Sequence, residues 1–318
     1  MGPYCRRFFV YIVAMRAMHE KIRRDEVSLS RYLSIGLLTL GIVACTSVSR
    51  PDLSGMSFAS EPLTGKFVWH DLITEDLDSA RKFYSGVLGW TFEEAQGARD
   101  HEYVVASSGN VYVAGILEIE GATDGTNYSR WLPYISVADV DSSVSNAVAA
   151  GASVAVSARD VNFGRVAALI DPEGAVLGLA RSDFGDPDDH TTAPASGRPV
   201  WSELLSNEPA AAADFYRGLG GYEVNTINRR GGEYTLLASD DANRAGIMEN
   251  PGENLDPVWL TYFGVDDPAA SAAIAESLGG KIILPASPEL RDGSMAVVTD
   301  PSGAILVLQN WTKMGGVK

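Results

Sequence analysis

Two pairs of residues in this chain have the types and spacing to do chemistry: Trp69 with Asp71, and Trp201 with Glu203. Each pair occupies positions i and i+2 of a short apolar run, so in a strand both side chains emerge on one face. An indole beside a carboxylate can hold an amphipathic or cationic ligand by stacking, cation–π contact and ion pairing. A carboxylate in such a pocket can also have a raised pKa and act as a general base. Trp131, Trp259, Tyr134 and Tyr262 begin two similar runs and join the candidates. The competing use of all these aromatics is core. Asp71 and Glu203 would then bond strand ends or pair the two parts of the chain.

The elements that carry these pairs occur twice. FVWHDLITEDLDSARKFYSGVLGW, from Phe67 to Trp90, returns 132 residues later as PVWSELLSNEPAAAADFYRGLGGY, from Pro199 to Tyr222, with eight of 24 positions identical. Phe67 to Thr74 suits a strand. Asp76 is placed to cap a helix, Ala80, Phe83, Tyr84, Val87 and Leu88 form its apolar stripe, and Gly89 stops it. In the second copy Pro209 occupies a first-turn position, where proline is tolerated. The pattern restarts at Trp131–Val137 (strand) and Val140–Ala150 (helix), and again from Trp259. Asp171-Pro-Glu-Gly and Asp300-Pro-Ser-Gly read as turns between closing strands. Each half therefore reads strand, helix, three strands, twice over, an α+β class built on an internal repeat.

At 318 residues the chain has room for about two domains, and its 46% hydrophobic and 21% charged content is that of an ordinary globular protein. Residues 1–44 differ, carrying seven of the 25 Lys/Arg and three of the 41 acids, which leaves the remainder at a net charge of −20. Such a surface repels phosphate backbones, so no nucleic-acid partner is expected. Tyr32 to Ala44 is an uncharged, mostly apolar run of 13 residues behind a basic segment, too short to span a bilayer and suited to a secretory signal. Ile-Val-Ala-Cys, ending at Cys45, resembles the bacterial lipoprotein lipobox. That resemblance implies a signal peptide over 1–44, lipidation of Cys45 and a membrane tether. Thr46 in place of Asp implies export to the periplasmic face of the outer membrane or the cell surface. The rival reading of the run is a buried N-terminal helix, and Met15 and Met18 are alternative starts. Cys5 and Cys45 are the two cysteines. With Cys5 removed and Cys45 lipidated, no disulfide, thiol nucleophile or thiolate metal site remains.

The expected layout is a tether over 45–64, a first domain over 65–183, an acidic Pro- and Gly-containing linker over 184–197, and a second domain over 198–314. The Asp-capped helix with Phe-Tyr and Leu-Gly-Trp, together with the closing Asp-Pro-x-Gly hairpin, resembles the vicinal oxygen chelate superfamily. That superfamily includes glyoxalase I, bleomycin- and fosfomycin-resistance proteins and extradiol dioxygenases. The resemblance spans Lys66–Ser182 and Arg198–Trp311, and implies two tandem glyoxalase-like domains, each of two βαβββ units around a cavity. Within the superfamily the chain is most similar to tandem glyoxalase-like proteins with a Trp-x-Asp/Glu-Leu first strand.

The enzymes of this superfamily hold a divalent metal through His, Gln or Glu on first and last strands. Carried over by spacing, those positions fall on Trp69, near Gly115 and Leu132, and on Gly178. In the second copy they fall on Trp201, near Gly246 and Leu260, and on Val307. None of these side chains can ligate such a metal. His70 is one residue away from the slot and faces the other side of its strand unless the register shifts by one; its copy is Ser202. His101 and His190 read as surface. No metal or other cofactor is therefore expected, a displaced divalent metal being the alternative. The expected function is binding of a small aromatic or amphipathic molecule. The alternatives are a lactoylglutathione lyase-like or dioxygenase-like enzyme with an atypical site, and a structural envelope protein.

Overall fold

The computed structural model of the chain describes residues 58–94, 103–121, 127–189, 196–229, 232–252, 255–289 and 291–310. The signal-like segment 1–44, Cys45, most of the tether, His101 and His190 lie outside them. Among the described residues no helix is long and apolar enough to cross a membrane.

The first half runs β1 (Phe67–Thr74), α1 (Leu77–Leu88), β2 (Thr91–Glu94), β3 (Tyr103–Ser108), β4 (Val111–Glu118), β5 (Arg130–Ser136), α2 (Val140–Ala149), β6 (Ser153–Val161), β7 (Gly164–Ile170) and β8 (Val176–Ser182). The second half repeats the order with β9 (Pro199–Ser206), α3 (Pro209–Gly220), β10 (Glu223–Arg229), β11 (Gly232–Ser239), β12 (Ala242–Glu249), β13 (Val258–Gly264), α4 (Pro268–Ser277), β14 (Lys281–Leu284), β15 (Met295–Thr299) and β16 (Ile305–Gln309).

Local chemistry sets the ends of the first helix. Asp76 accepts a bond from the Ser79 amide at 2.9 Å, satisfying an amide the helix itself leaves unpaired. Gly89 closes α1 at φ 70°, a conformation that favours a residue without Cβ. In the second copy Glu208 makes no side-chain cap bond, and Pro209 starts α3 in its place.

Each half forms one eight-stranded mixed sheet, ordered β2-β3-β4-β1-β5-β8-β7-β6 and β10-β11-β12-β9-β13-β16-β15-β14. The first strand of every unit for which both partners are described pairs in parallel with the fourth, and the two units of each half join antiparallel through β1–β5 or β9–β13. Strand alternation divides the side chains into a helix-bearing face and a helix-free face. On the helix-bearing face Leu72, Phe83, Tyr84, Trp90, Ile116 and Trp131 share a core with Phe263, Ala275, Val298 and Leu306 of the other half. A matching core joins Ile135, Leu177 and Leu179 to Leu204, Tyr216, Ile247 and Trp259. The helix-bearing faces thus turn toward each other within one compact unit.

The motifs of the repeat do their work across this contact. The Tyr84 hydroxyl donates to Asp300 Oδ2 at 3.1 Å and the Tyr216 hydroxyl to Asp171 Oδ2 at 2.8 Å. Trp90 Nε1 donates to the Gly197 carbonyl at 2.6 Å, and the Tyr222 hydroxyl to the Gly65 carbonyl at 2.5 Å. Every bond has a counterpart with the halves exchanged, the pattern of a self-complementary interface. The first part of the expected linker is also tied down. Asp186 accepts from Leu63 N and Ser136 Oγ, and Asp189 pairs with Lys66 and Arg244.

Candidate functional site

On the helix-free face β1, β3 and β5 of the first half, and β9, β11 and β13 of the second, bring a carboxylate, a tryptophan and two tyrosines together. In the first half Asp71 lies in register with Gly115 of β4 and Leu132 of β5, and Trp69 with Tyr134. The slots expected from spacing are therefore neighbours in space. Asp71 Oδ1 accepts from Trp69 Nε1 at 2.8 Å and from the Tyr103 hydroxyl at 2.8 Å, with a further bond from Tyr134. Burial pushes the Asp71 carboxyl up, and the bonds from Tyr103, Trp69 and Tyr134 and the charge of Arg159 hold it back. Burial and the Asp71 charge together push the Tyr103 phenol up, so it stays a hydrogen-bond donor.

The second half repeats the arrangement with one addition. Glu203 accepts from the Tyr234 hydroxyl at 2.7 Å and the Tyr262 hydroxyl at 2.5 Å, and Trp201 Nε1 donates to the Tyr234 hydroxyl at 3.0 Å. Arg291 then reaches Glu203 Oε2 at 3.2 Å, with its guanidinium carbon 5.6 Å from the centre of the Tyr262 ring. It comes from a tight turn in which Arg291, Asp292 and Gly293 take φ of 49°, 55° and 72°.

Glycines make room for the phenols. A Cβ on Gly115 would lie 1.9 Å from the Tyr103 hydroxyl and 2.3 Å from Asp71 Oδ1, and one on Gly246 would lie 1.9 Å from the Tyr234 hydroxyl. Where the superfamily resemblance places a metal ligand, a tyrosine hydroxyl occupies the space a side chain would need. The same tyrosines and glycines recur at one common offset, Tyr103/Tyr234 and Gly115/Gly246, 131 residues apart. That repetition was the signal that could have found Tyr103 and Tyr234.

The structure separates the remaining candidates. Trp131 and Trp259 are in register with Leu72 and Leu204, so they leave by the helix-bearing face, 4% and 3% exposed. They donate to the Tyr84 and Tyr216 hydroxyls at 3.2 and 2.9 Å and belong to the cores between the halves. Grouping them with Tyr134 and Tyr262 is corrected by strand alternation, since residues three apart face opposite ways. Asp71 and Glu203 do not pair the halves; Asp171 and Asp300 do. His70 faces away from the cradle, as alternation requires, 5% exposed with Nε2 3.4 Å from Ser202 Oγ. Burial lowers its pKa to about 3.

Two mixed eight-stranded sheets, each made of two βαβββ units with a polar cluster on the helix-free face, define the architecture. Residues 68–180 match the glyoxalase-like domain family, and residues 197–308 match the glyoxalase/bleomycin resistance protein/dioxygenase superfamily. The chain belongs to that superfamily, the vicinal oxygen chelate proteins, in tandem-domain form. It is 34% identical over 252 residues to a Mycobacterium tuberculosis protein named "Putative glyoxylase CFP32", covering 77% of this chain and 95% of the relative. A match to the anthracycline biosynthesis protein DnrV of Streptomyces peucetius, 34% identical over 134 residues, covers 37% of this chain and 48% of that protein. The fold is shared with the Mn(II)-bound glyoxalase of Novosphingobium aromaticivorans, with a TM-score of 0.53 and 14% identity over 78% of this chain and 82% of that one. It is also shared with the 2,3-dioxygenase LapB of Pseudomonas sp. KL28, with a TM-score of 0.53 and 12% identity over 79% and 93%.

The residues present do not fit the divalent metal that this fold holds in its enzymes. Trp69, Gly115, Leu132 and Gly178, like Trp201, Gly246, Leu260 and Val307, offer no oxygen or imidazole donor. Asp71 and Glu203 are each committed to tyrosine donors. Among the described residues no group of three His, Cys, Asp or Glu is placed to hold a metal ion.

Proposed function

We propose that this protein binds a small aromatic or amphipathic molecule on the helix-free face of its sheets, without a metal. The observation that supports this is the replacement of the metal-ligand positions by indoles, glycines and aliphatic side chains, with tyrosine hydroxyls filling the space at Gly115 and Gly246 and the Tyr134 ring that at Gly178. What these groups offer instead is an aromatic wall around a hydrogen-bonded carboxylate, suited to stacking and polar anchoring. The proposal includes a lipid on Cys45 that tethers the chain to the periplasmic face of the outer membrane or the cell surface. It includes no nucleic-acid partner. Thermal-shift screening with aromatic probes tests binding, because a ligand that binds only the folded form raises the melting temperature. Loss of palmitate labelling in Cys45→Ser tests the tether.

A second reading, an enzyme of the lactoylglutathione lyase or dioxygenase type, is favoured by the name of the mycobacterial relative and by the upward-shifted Asp71 carboxyl. There Asp71 or Glu203 would serve as general base. Elemental analysis of dialysed protein separates the readings. Stoichiometric divalent metal that resists dialysis supports the enzyme; its absence together with a probe-induced thermal shift supports the binding protein.

A further inference from the structure

The two cradles share a frame but not a state. Around Glu203 every member is buried: Trp201 is 7%, Tyr234 5%, Tyr262 1% and Glu203 1% exposed. Around Asp71 every member, Trp69, Tyr103, Tyr134 and Asp71 itself, is only half-buried. The difference follows from how each half uses one arginine. In the second half the chain leaves the β14 ladder at Leu284 and turns through three successive left-handed residues, which sets Arg291 on the carboxylate and over the Tyr262 ring. In the first half the β6 ladder runs on to Val161, and Arg159 stays exposed in it, opposite Val166. Arg159 acts on Asp71 through charge alone, and among the described residues no cation is paired with Asp71. Its donors are an indole and phenols, all neutral. At Gly178 the Tyr134 ring packs onto the strand, its Cδ1 2.1 Å from where a Cβ would stand, whereas the second half has buried Val307 at the same register position opposite Tyr262.

We infer that the two cradles have divided their roles. The Glu203 cradle is filled from within by the Arg291 guanidinium, and the Asp71 cradle receives an external molecule carrying a planar organic cation, a guanidinium or amidinium group. The inference rests on the binding reading above and names the chemical class of its ligand. The cation lies against the Tyr134 ring with its N–H edge on Asp71, as Arg291 lies against Tyr262 with its edge on Glu203. A planar group suits this slot because it can stack and donate at once, which a compact ammonium does less well.

The test uses benzamidine and its neutral counterpart benzamide, with calorimetry and the indole N–H resonances of 15N-labelled protein. Expected are one benzamidine per chain, movement of the Trp69 indole signal with the Trp201 signal unmoved, and at least tenfold weaker binding of benzamide. Asp71→Asn is expected to lose at least tenfold in benzamidine affinity. Arg291→Ala is expected to expose a second site and bring the Trp201 signal into motion. Should that variant fail to fold, the Asp71→Asn and benzamide comparisons still decide. Equal binding of the two probes at Trp69, or benzamidine binding that survives Asp71→Asn, overturns the inference and leaves the binding reading standing. No movement of Trp69 with either probe overturns the inference, and stoichiometric metal in the same protein removes the binding reading with it. A folded Arg291→Ala that gains no site overturns the role given to Arg291.

Discussion

Removing Arg291 tests the idea that the second cradle is internally filled. Glu203 is 1% exposed and Arg291 28%, so Arg291→Met leaves a carboxylate deep in the sheet without its only contacting cation among the described residues. Breaking a buried pair from one side costs about 3–5 kcal/mol, because the remaining charge stays desolvated. Glu203 keeps two phenol donors, at 2.7 and 2.5 Å, and water can enter where the guanidinium was, so the expected loss is at the lower end, about 3 kcal/mol. At about 2–4 °C per kcal/mol for a body of this size, the melting temperature should fall by about 6 °C or more. Neutralising the orphaned charge should recover most of this. Glu203→Gln with Arg291→Met keeps an acceptor oxygen for one tyrosine and presents an NH2 to the other, whose hydroxyl can turn to accept from it, and should lose only about 1 kcal/mol, the scale of one exchanged hydrogen bond. Urea denaturation of the wild type, both single variants and the double variant closes the cycle. If Arg291→Met costs less than about 1 kcal/mol, or the double variant loses the sum of the singles, then Arg291 is not the counter-charge of Glu203 and the filled-cradle argument fails.

Three further outcomes are expected. His70 has a folded pKa of about 3 against an ordinary value of 6.5, so the unfolded chain takes up its proton first and stability falls as pH drops from 6.5 toward 3. From pH 7 to pH 5 this amounts to about 2 kcal/mol, which urea titrations should show disappearing in His70→Gln; a variant as acid-sensitive as the wild type refutes it. Tyr216→Phe removes the donor to Asp171 and the acceptor of Trp259, and should cost about 2 kcal/mol in chemical denaturation, with Tyr84→Phe, whose bonds are longer, costing less. Gly115→Ala drives a methyl into the Tyr103 hydroxyl, so it should destabilise by about 1–3 kcal/mol and abolish probe binding at Trp69, measured by calorimetry on protein whose circular dichroism is unchanged.

The element order was legible because it rests on local chemistry. Asp76, Gly89 and the Ala80–Leu88 stripe announce α1 without help from the rest of the chain, and the 132-residue repeat announces the second copy. Strand alternation likewise placed Trp69 with Asp71 on one face and His70 on the other. The same rule separates Trp131 from Tyr134, three residues apart on β5; deciding which of them faces the cradle requires knowing that Trp69 pairs with Tyr134, a contact between residues 65 apart. Arg291 was harder still. Its role depends on a turn of left-handed residues, two of them not glycine, and nothing in Leu-Arg-Asp-Gly specifies that the arginine should swing onto a carboxylate 88 residues earlier.

The pattern of what the two halves kept and what they changed has a physical basis. On the helix-bearing faces each half is the other's binding partner, so Tyr84 needs Asp300 just as Tyr216 needs Asp171, and Trp90 needs Gly197 just as Tyr222 needs Gly65. A change in one copy leaves a buried polar group of the other unpaired, at about 1–3 kcal/mol each, and that reciprocity holds the pairs in place. On the helix-free faces the hydrogen bonds and the ion pair of each cradle stay, among the described residues, within its own half. There each carboxylate answers only to its own strands, so Asp in one copy can stand where Glu stands in the other, Gly178 where Val307 stands, and one arginine can remain in its ladder while the other folds inward. Freedom to diverge is thus confined to the faces that can meet a ligand, and the cradles around Asp71 and Glu203 are where a difference in binding between the halves should be measured.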